Sequence, residues 1–208
     1  LQCLTRVNIP MSQALMARAD LIVATGGQPM VRAAYSSGTP AYGVGAGNST
    51  MIIDETANIE EAARNTRLSK TSDFGSGCSA DGNLIIEASI FDKLVAQLQK
   101  EGGHLASPAE KELLRKAMWD DERHRTSSTV AIAPQQLAKI AGFEIPDDRK
   151  FIMVHGDGIG KQHHFSGEKL TTLLALYKYQ GFDQALEMMR AIYEVGGKGH
   201  SCGIYSFD

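Results

Sequence analysis

Short runs of consecutive apolar residues alternate along this chain with longer stretches whose apolar positions recur every three or four residues. A continuous apolar run suits a strand buried on both faces, and the longer period suits a helix with one face against a core. The runs predict strands over 21–24, 41–44, 51–53, 84–86, 151–154, 173–177 and 200–206. The longer pattern predicts helices over 11–18, 28–35, 59–70, 90–101, 108–119, 134–141 and 182–193. In the third of these helices, Ile59, Ala62, Ala63 and Leu68 are the expected buried face. Ser107 before Pro108 reads as an N-cap followed by a first-turn proline. Strand and helix alternate throughout, which predicts the α/β class.

Composition narrows this picture without redirecting it. With 208 residues, 43% of them hydrophobic, the chain can bury a sizeable core. Charged residues make up 22% and the net charge is -3, so neither a nucleic acid nor a membrane is expected as a partner. No apolar run approaches the roughly 20 residues that cross a bilayer, and no secretory signal pattern opens the chain. Leu1-Gln2-Cys3-Leu4 at the start and Gly203-Ile204-Tyr205-Ser206-Phe207-Asp208 at the end read like the interior of a protein, so truncation at both ends is expected. Cys3, Cys78 and Cys202 are odd in number and far apart. That spacing argues against a disulfide framework or zinc site and for a reducing cytoplasm.

The loop 71–82 encloses Cys78 in Gly75-Ser76-Gly77-Cys78-Ser79-Ala80. Such small neighbours would let an electrophilic carbon reach the sulfur and leave N–H groups free to hold an oxyanion. Context alone still favours a buried, inert cysteine, because free cysteine is among the most buried residue types. Thr25-Gly26-Gly27 joins a strand to a helix, a setting suited to an anion, and a plain left-handed turn fits it equally. Glu168 alone reads as a solvated carboxylate, and His200 as a structural histidine before an apolar strand. His155, Lys161, His163 and His164 have no carboxylate or cysteine at metal-ligand spacing, so they are expected in loops with no metal. Gly156-Asp157-Gly158-Ile159-Gly160-Lys161 lacks the spacing of a phosphate loop and the hydroxyl residue after its lysine.

Longer segments say more than these single residues. The run Ile22-Val23-Ala24-Thr25-Gly26-Gly27-Gln28-Pro29-Met30-Val31-Arg32, with Gly43-Val44-Gly45-Ala46-Gly47-Asn48 and Ile53-Asp54-Glu55-Thr56, closely resembles the CoA-acylating branch of the aldehyde dehydrogenase superfamily. Ser69-Lys70-Thr71 with Cys78, then Glu144-Ile145-Pro146, Glu168-Lys169-Leu170, Ala175-Leu176-Tyr177 and Gly199-His200-Ser201, follow in the family's order over essentially the whole chain. The resemblance implies an α/β, aldehyde dehydrogenase-like fold. In it, residues 1–43 are the end of an NAD(P)-binding domain and residues 44–208 a catalytic domain whose Cys78 faces the crevice. Cys78 falls on the nucleophile that forms a thiohemiacetal and then a thioester. His200 falls on a histidine that assists thiol transfer or positions the intermediate. Thr25, Gly26 and Gly27 fall on the turn that approaches the cofactor, and Glu168 on the carboxylate that binds the nicotinamide ribose. NAD or NADP as cofactor, coenzyme A as co-substrate and a small aldehyde as substrate are implied. So is a homo-oligomer of the full-length protein, in the cytoplasm or a bacterial microcompartment.

Three positions modify that expectation. Hydrolytic relatives carry a water-activating glutamate where this chain has Val44, so a thiol rather than water is expected to release the acyl group. Phe74 stands where relatives often have asparagine, which leaves the oxyanion-holding role unassigned. Ser76-Gly77 replaces an apolar pair before the nucleophile. The last two changes suggest a small polar or anionic aldehyde such as sulfoacetaldehyde or succinate semialdehyde. The competing readings are a hydrolytic aldehyde dehydrogenase, a non-catalytic scaffold that keeps the fold, and a reductase acting on an acyl phosphate.

Overall fold

All of the strands pair in parallel, as expected where side chains are apolar on both faces. The structure, a computed structural model, describes residues 2–208. It consists of two compact units, divided between Ala46 and Gly47 within the Gly45-Ala46-Gly47-Asn48 turn, against an expected boundary at 43–44.

The first unit contains α1 (Ile9–Met16), β1 (Ile22–Thr25), α2 (Gln28–Tyr35) and β2 (Ala41–Val44). Its two strands pair with Thr25 opposite Val44, and Ile22, Ala24 and Ala34 form a small buried cluster. Helix α1 starts earlier than the apolar pattern suggested. Asn8 Oδ1 accepts the Met11 N–H at 2.9 Å, and Pro10 sits in the first turn, where its missing N–H costs nothing.

The second unit runs β3 (Thr50–Ile53), α3 (Ile59–Thr71), β4 (Asn83–Glu87), α4 (Phe91–Lys100), β5 (Gly103–Leu105), α5 (Pro108–Met118), α6 (Pro134–Ala141), β6 (Phe151–His155), β7 (Leu173–Tyr179), α7 (Phe182–Val195) and β8 (Cys202–Tyr205). The strands form one six-stranded sheet in the order β5-β6-β7-β4-β3-β8. Alternate residues of each strand feed opposite cores. Leu84, Ile86, Phe151, Met153, Leu174 and Leu176 pack with Ala62, Leu94 and Leu98 from α3 and α4. Ile85, Ile152, Val154, Leu173, Ala175 and Tyr177 pack with Leu114, Leu137 and Ile192 from α5, α6 and α7. This two-sided burial explains why the strands read as unbroken apolar runs.

Two expectations fail for identifiable reasons. Strand β5 was not foreseen, because three residues carry too little periodicity to separate a strand from a turn. On α3, Ala62 and Ala63 are buried as expected but Leu68 is 51% exposed, and Thr66 and Lys70 are buried instead. Nine residues at about 100° each turn Leu68 roughly half a circle away from Ile59. The true buried face passes through a lysine, which apolar periodicity does not register.

Ser107 does cap α5. Its Oγ accepts the Glu110 N–H at 3.3 Å, while Glu110 Oε2 accepts the Ser107 N–H at 2.7 Å. A Ser107→Ala substitution leaves the Glu110 N–H to water and should cost about 1 kcal/mol. Urea denaturation followed by circular dichroism measures this, and an unchanged midpoint would contradict the capping role.

Candidate active site

Strands β7, β4, β3 and β8 are consecutive in the sheet and parallel, so the segments entering them must emerge at one edge. Glu168 and Lys169 precede β7, Cys78 precedes β4, Gly47 and Asn48 precede β3, and His200 precedes β8. Gly47 and Glu168, 121 positions apart in sequence, thereby meet.

The floor of this edge is a buried polar network. Asn48, 1% exposed, donates through Nδ2 to Ser166 O at 2.9 Å and accepts through Oδ1 from Asn83 Nδ2 at 2.9 Å. Asn83 Oδ1 in turn accepts from Lys169 Nζ at 3.0 Å. Lys169 also donates to Phe165 O at 2.6 Å and Gly167 O at 2.8 Å. Burial, with Lys70 and Arg125 nearby, holds Lys169 well below the usual lysine range. A lone buried cation of this kind would be costly, and complete hydrogen bonding is what makes it tolerable.

Above the floor, Gly47 is wedged between the Cys78 loop and Glu168. Its N–H donates to Glu168 Oε1 at 3.1 Å. A Cβ on Gly47 would lie 2.6 Å from the Cys78 carbonyl oxygen and 2.9 Å from Glu168 Oε1. Glu168 is therefore not a solvated carboxylate. Burial raises its pKa, opposed by the Gly47 N–H and by the charges of His200, Lys169 and Lys70. His200 itself pairs locally, Nδ1 lying 2.9 Å from Ser201 Oγ.

The loop bearing Cys78 leaves α3 through a short 3-10 turn, Ser72–Gly75, and is anchored at both ends. Ser69 Oγ accepts the Asp81 N–H at 3.0 Å, and Gly75 packs so tightly that a Cβ would meet the Thr171 carbonyl oxygen at 2.6 Å. Asp73, Phe74 and Gly75 all have positive φ, at 45°, 52° and 67°. Asparagine tolerates that conformation well, whereas phenylalanine pays a steric cost there. Cys78 itself is exposed, so its local context misled: small neighbours leave the sulfur open. Behind it, Cys78, Lys70, Glu168, Lys169 and Asn48 line a cavity of about 10 Å³, room for about one water.

In the first unit, neither Gly26 nor Gly27 adopts a positive φ, which removes the left-handed turn. Gly27 is the extended N-cap of α2 and makes no side-chain cap, so the helix N-terminus is open. Thr25 and Val44 end their strands side by side, both exposed.

The remaining histidines sit elsewhere. His164 lies edge-on to Trp119 at 5.4 Å, and a cavity of about 340 Å³ bordered by His155, His163 and His164 includes none of Cys78, Glu168 and His200. Among the described residues no cluster of three side chains could hold a metal. Sequence reasoning overlooked Asn48, Asn83, Lys70 and Asp81 as site residues. Their only signal was their place in the Gly47-Asn48 turn, the Ser69-Lys70-Thr71 triplet and the loop's end.

Two substitutions test this geometry. Gly47→Ala must displace either the Cys78 carbonyl or Glu168, and should destabilise by about 1–3 kcal/mol. Urea denaturation, with the alkylation rate of Cys78 read in parallel, would expose an alanine that fits without cost. Phe74→Asn relieves the left-handed strain at a half-exposed position and should raise stability by about 0.5–1 kcal/mol. A lower thermal midpoint for that variant would mean that the ring contributes more than the strain costs.

Comparison with known proteins agrees with this fold. The model of the aldehyde dehydrogenase family matches residues 3–140. The chain is 39% identical over 194 residues to the acylating sulfoacetaldehyde dehydrogenase of Cupriavidus necator, covering 92% of this chain and 39% of that protein. The acetylating aldehyde dehydrogenase of Geobacillus thermoglucosidasius superposes with a TM-score of 0.96 at 39% identity, over 99% of this chain and 46% of that one. The Rhodopseudomonas palustris propionaldehyde dehydrogenase, solved with bound CoA and an acylated cysteine, superposes with a TM-score of 0.87 at 28% identity, over 97% of this chain and 46% of that one. The chain thus spans less than half the length of these relatives. Its fold, its sequence and the order of its motifs agree, and the chain belongs to the aldehyde dehydrogenase family.

Proposed function

We propose that this chain is the catalytic part of a CoA-acylating aldehyde dehydrogenase, with Cys78 as its nucleophile. The observation that carries the reading is the exposure of Cys78 beside Glu168, with His200 close enough for its charge to reach that carboxylate. The Cys78 thiolate attacks the aldehyde carbon, forming a C–S bond and an alkoxide. A bound NAD(P) would supply the hydride acceptor for that carbon, with Glu168 and the Thr25-Gly26-Gly27 turn as the residues that would hold it. Cys78 is left as a thioester, and the CoA sulfur attacks its carbonyl. The C–S bond to Cys78 then breaks, releasing acyl-CoA and restoring the thiolate.

Two features fit the residues to the cofactor. Glu168 is fixed on Gly47 through one oxygen, which leaves the other for a ribose hydroxyl. At the N-terminus of α2, entered by Thr25-Gly26-Gly27, the Gly27 and Gln28 N–H groups have no backbone partner and could face a pyrophosphate. His200 is proposed to position the thioester or assist the incoming thiol. Val44 favours thiol over water as the acyl acceptor, because no carboxylate stands there to activate water. The substrate is a small polar or anionic aldehyde, and sulfoacetaldehyde is supported by the Cupriavidus relative and by Ser76-Gly77 beside the nucleophile. The full-length protein is proposed to act as a homo-oligomer.

The test is NAD(P)H formation by the full-length protein with sulfoacetaldehyde, succinate semialdehyde, acetaldehyde or propionaldehyde, with and without CoA. Turnover should require CoA and fall at least about a thousandfold in Cys78→Ala. Equal rates without CoA would indicate hydrolysis, and full activity of the variant would remove Cys78 from the mechanism. A clear preference for acetaldehyde or propionaldehyde would refute the polar substrate.

A further inference from the structure

Two lysines are buried behind Cys78, and their surroundings differ. Lys169 directs all three N–H donors at protein oxygens. Lys70 is equally buried, at 1% exposure, yet its Nζ makes no hydrogen bond or ion pair with protein among the described residues. It lies in the last turn of α3 and lines the same small cavity as Cys78 and Glu168. Its Nζ is not among the buried atoms sealed off without a partner, so its donors face the cavity rather than the protein core. Two carboxylates attract it without touching it. Asp81 ends the nucleophile loop, and Glu168 lies across the cavity on Gly47.

We propose that Lys70 is a positioning residue whose buried ammonium shares the small cavity with Glu168 and keeps Glu168 ionised and seated on Gly47. This rests on Glu168 being the carboxylate that receives the cofactor ribose. Burial lowers the Lys70 pKa to about 8 and raises that of Asp81 to about 6, so the ammonium persists on the acid side of neutrality, while burial also raises the Glu168 carboxyl above its ordinary range. Glu168 also feels His200, Lys169 and Arg125. Lys169 is fully engaged by the floor, which leaves Lys70 as the lysine with free donors in the cavity.

The sign of the effect follows directly. Removing a cation near Glu168 makes its carboxyl easier to protonate, so cofactor affinity should fall at a higher pH. NAD(P) binding to the full-length protein, followed by fluorescence titration between pH 4.5 and 8, reads this as the midpoint of the acid limb. Lys70→Met should move that midpoint up by about half a pH unit or more, giving about threefold weaker binding on the limb. Lys70→Arg, which keeps the charge, should return it. A loss that was merely structural would weaken binding at every pH without moving the midpoint, and that result would overturn the proposal. If Lys70→Met does not fold, Lys70→Gln serves as the neutral variant. Glu168→Gln separates the two ideas. If it leaves cofactor binding and its pH dependence intact, the ribose role of Glu168 fails. The Lys70 effect is then read from the Glu168 carboxyl by isotope-edited infrared titration. An unmoved carboxyl titration in Lys70→Met would refute the proposal there as well.

Discussion

Parallel pairing of β7, β4, β3 and β8 is the constraint on which the site depends. Parallel strands cannot be joined by tight hairpins, so every connection must travel back along the sheet before the next strand begins. The segments that enter these four strands are therefore delivered to one edge, whatever their separation along the chain. Glu168, Cys78, Gly47 and His200 belong to four such segments. Ligands of open α/β sheets commonly bind at the carboxyl ends of the strands, and in the second unit the site lies at the opposite, amino-terminal edge. The two-sided apolar cores hold the strand register, and through it the relative heights of the entering residues.

An edge built from strand starts exposes backbone polar groups that have no ladder partner, and the buried side chains supply them. Asn48, Asn83 and Lys169 link the starts of β3, β4 and β7 into one hydrogen-bonded layer. Such a layer is stabilising only when every member is satisfied, because each unpaired group in a low-dielectric site carries the full cost of desolvation. It also limits movement beneath the reactive loop. Gly47 adds a steric limit, since anything larger than hydrogen would collide with the Cys78 backbone or with Glu168. Nucleophile and carboxylate are thus spaced by a glycine rather than by a direct bond.

The loop itself combines rigidity with exposure. Its left-handed turn at Asp73, Phe74 and Gly75, its packing on Thr171 and its tie from Ser69 to Asp81 fix the backbone on both sides of Cys78. The sulfur stays open to solvent because Ser76, Gly77 and Ser79 are too small to cover it. The nucleophile role proposed for Cys78, accepting an aldehyde and later releasing an acyl group to a second thiol, needs both properties.

Much of the fold was legible from the chain alone, since apolar runs and helical periods marked seven of the eight strands and all seven helices. The α/β class, the N-cap at Ser107 and the family resemblance rested on local order and composition, which a sequence carries directly. The site was legible in part. Cys78, Glu168, His200 and the Thr25-Gly26-Gly27 turn were named through resemblance, while local context alone would have buried Cys78 and solvated Glu168. Lys70, Asp81, Asn48 and Asn83 were missed because their roles depend on neighbours distant in sequence. Burial, the Gly47 wedge and the charges around Glu168 arise only when parallel strands bring remote segments together, and no local pattern encodes them. Local periodicity determined the elements, and tertiary register decided which polar groups lost their water and whom they faced.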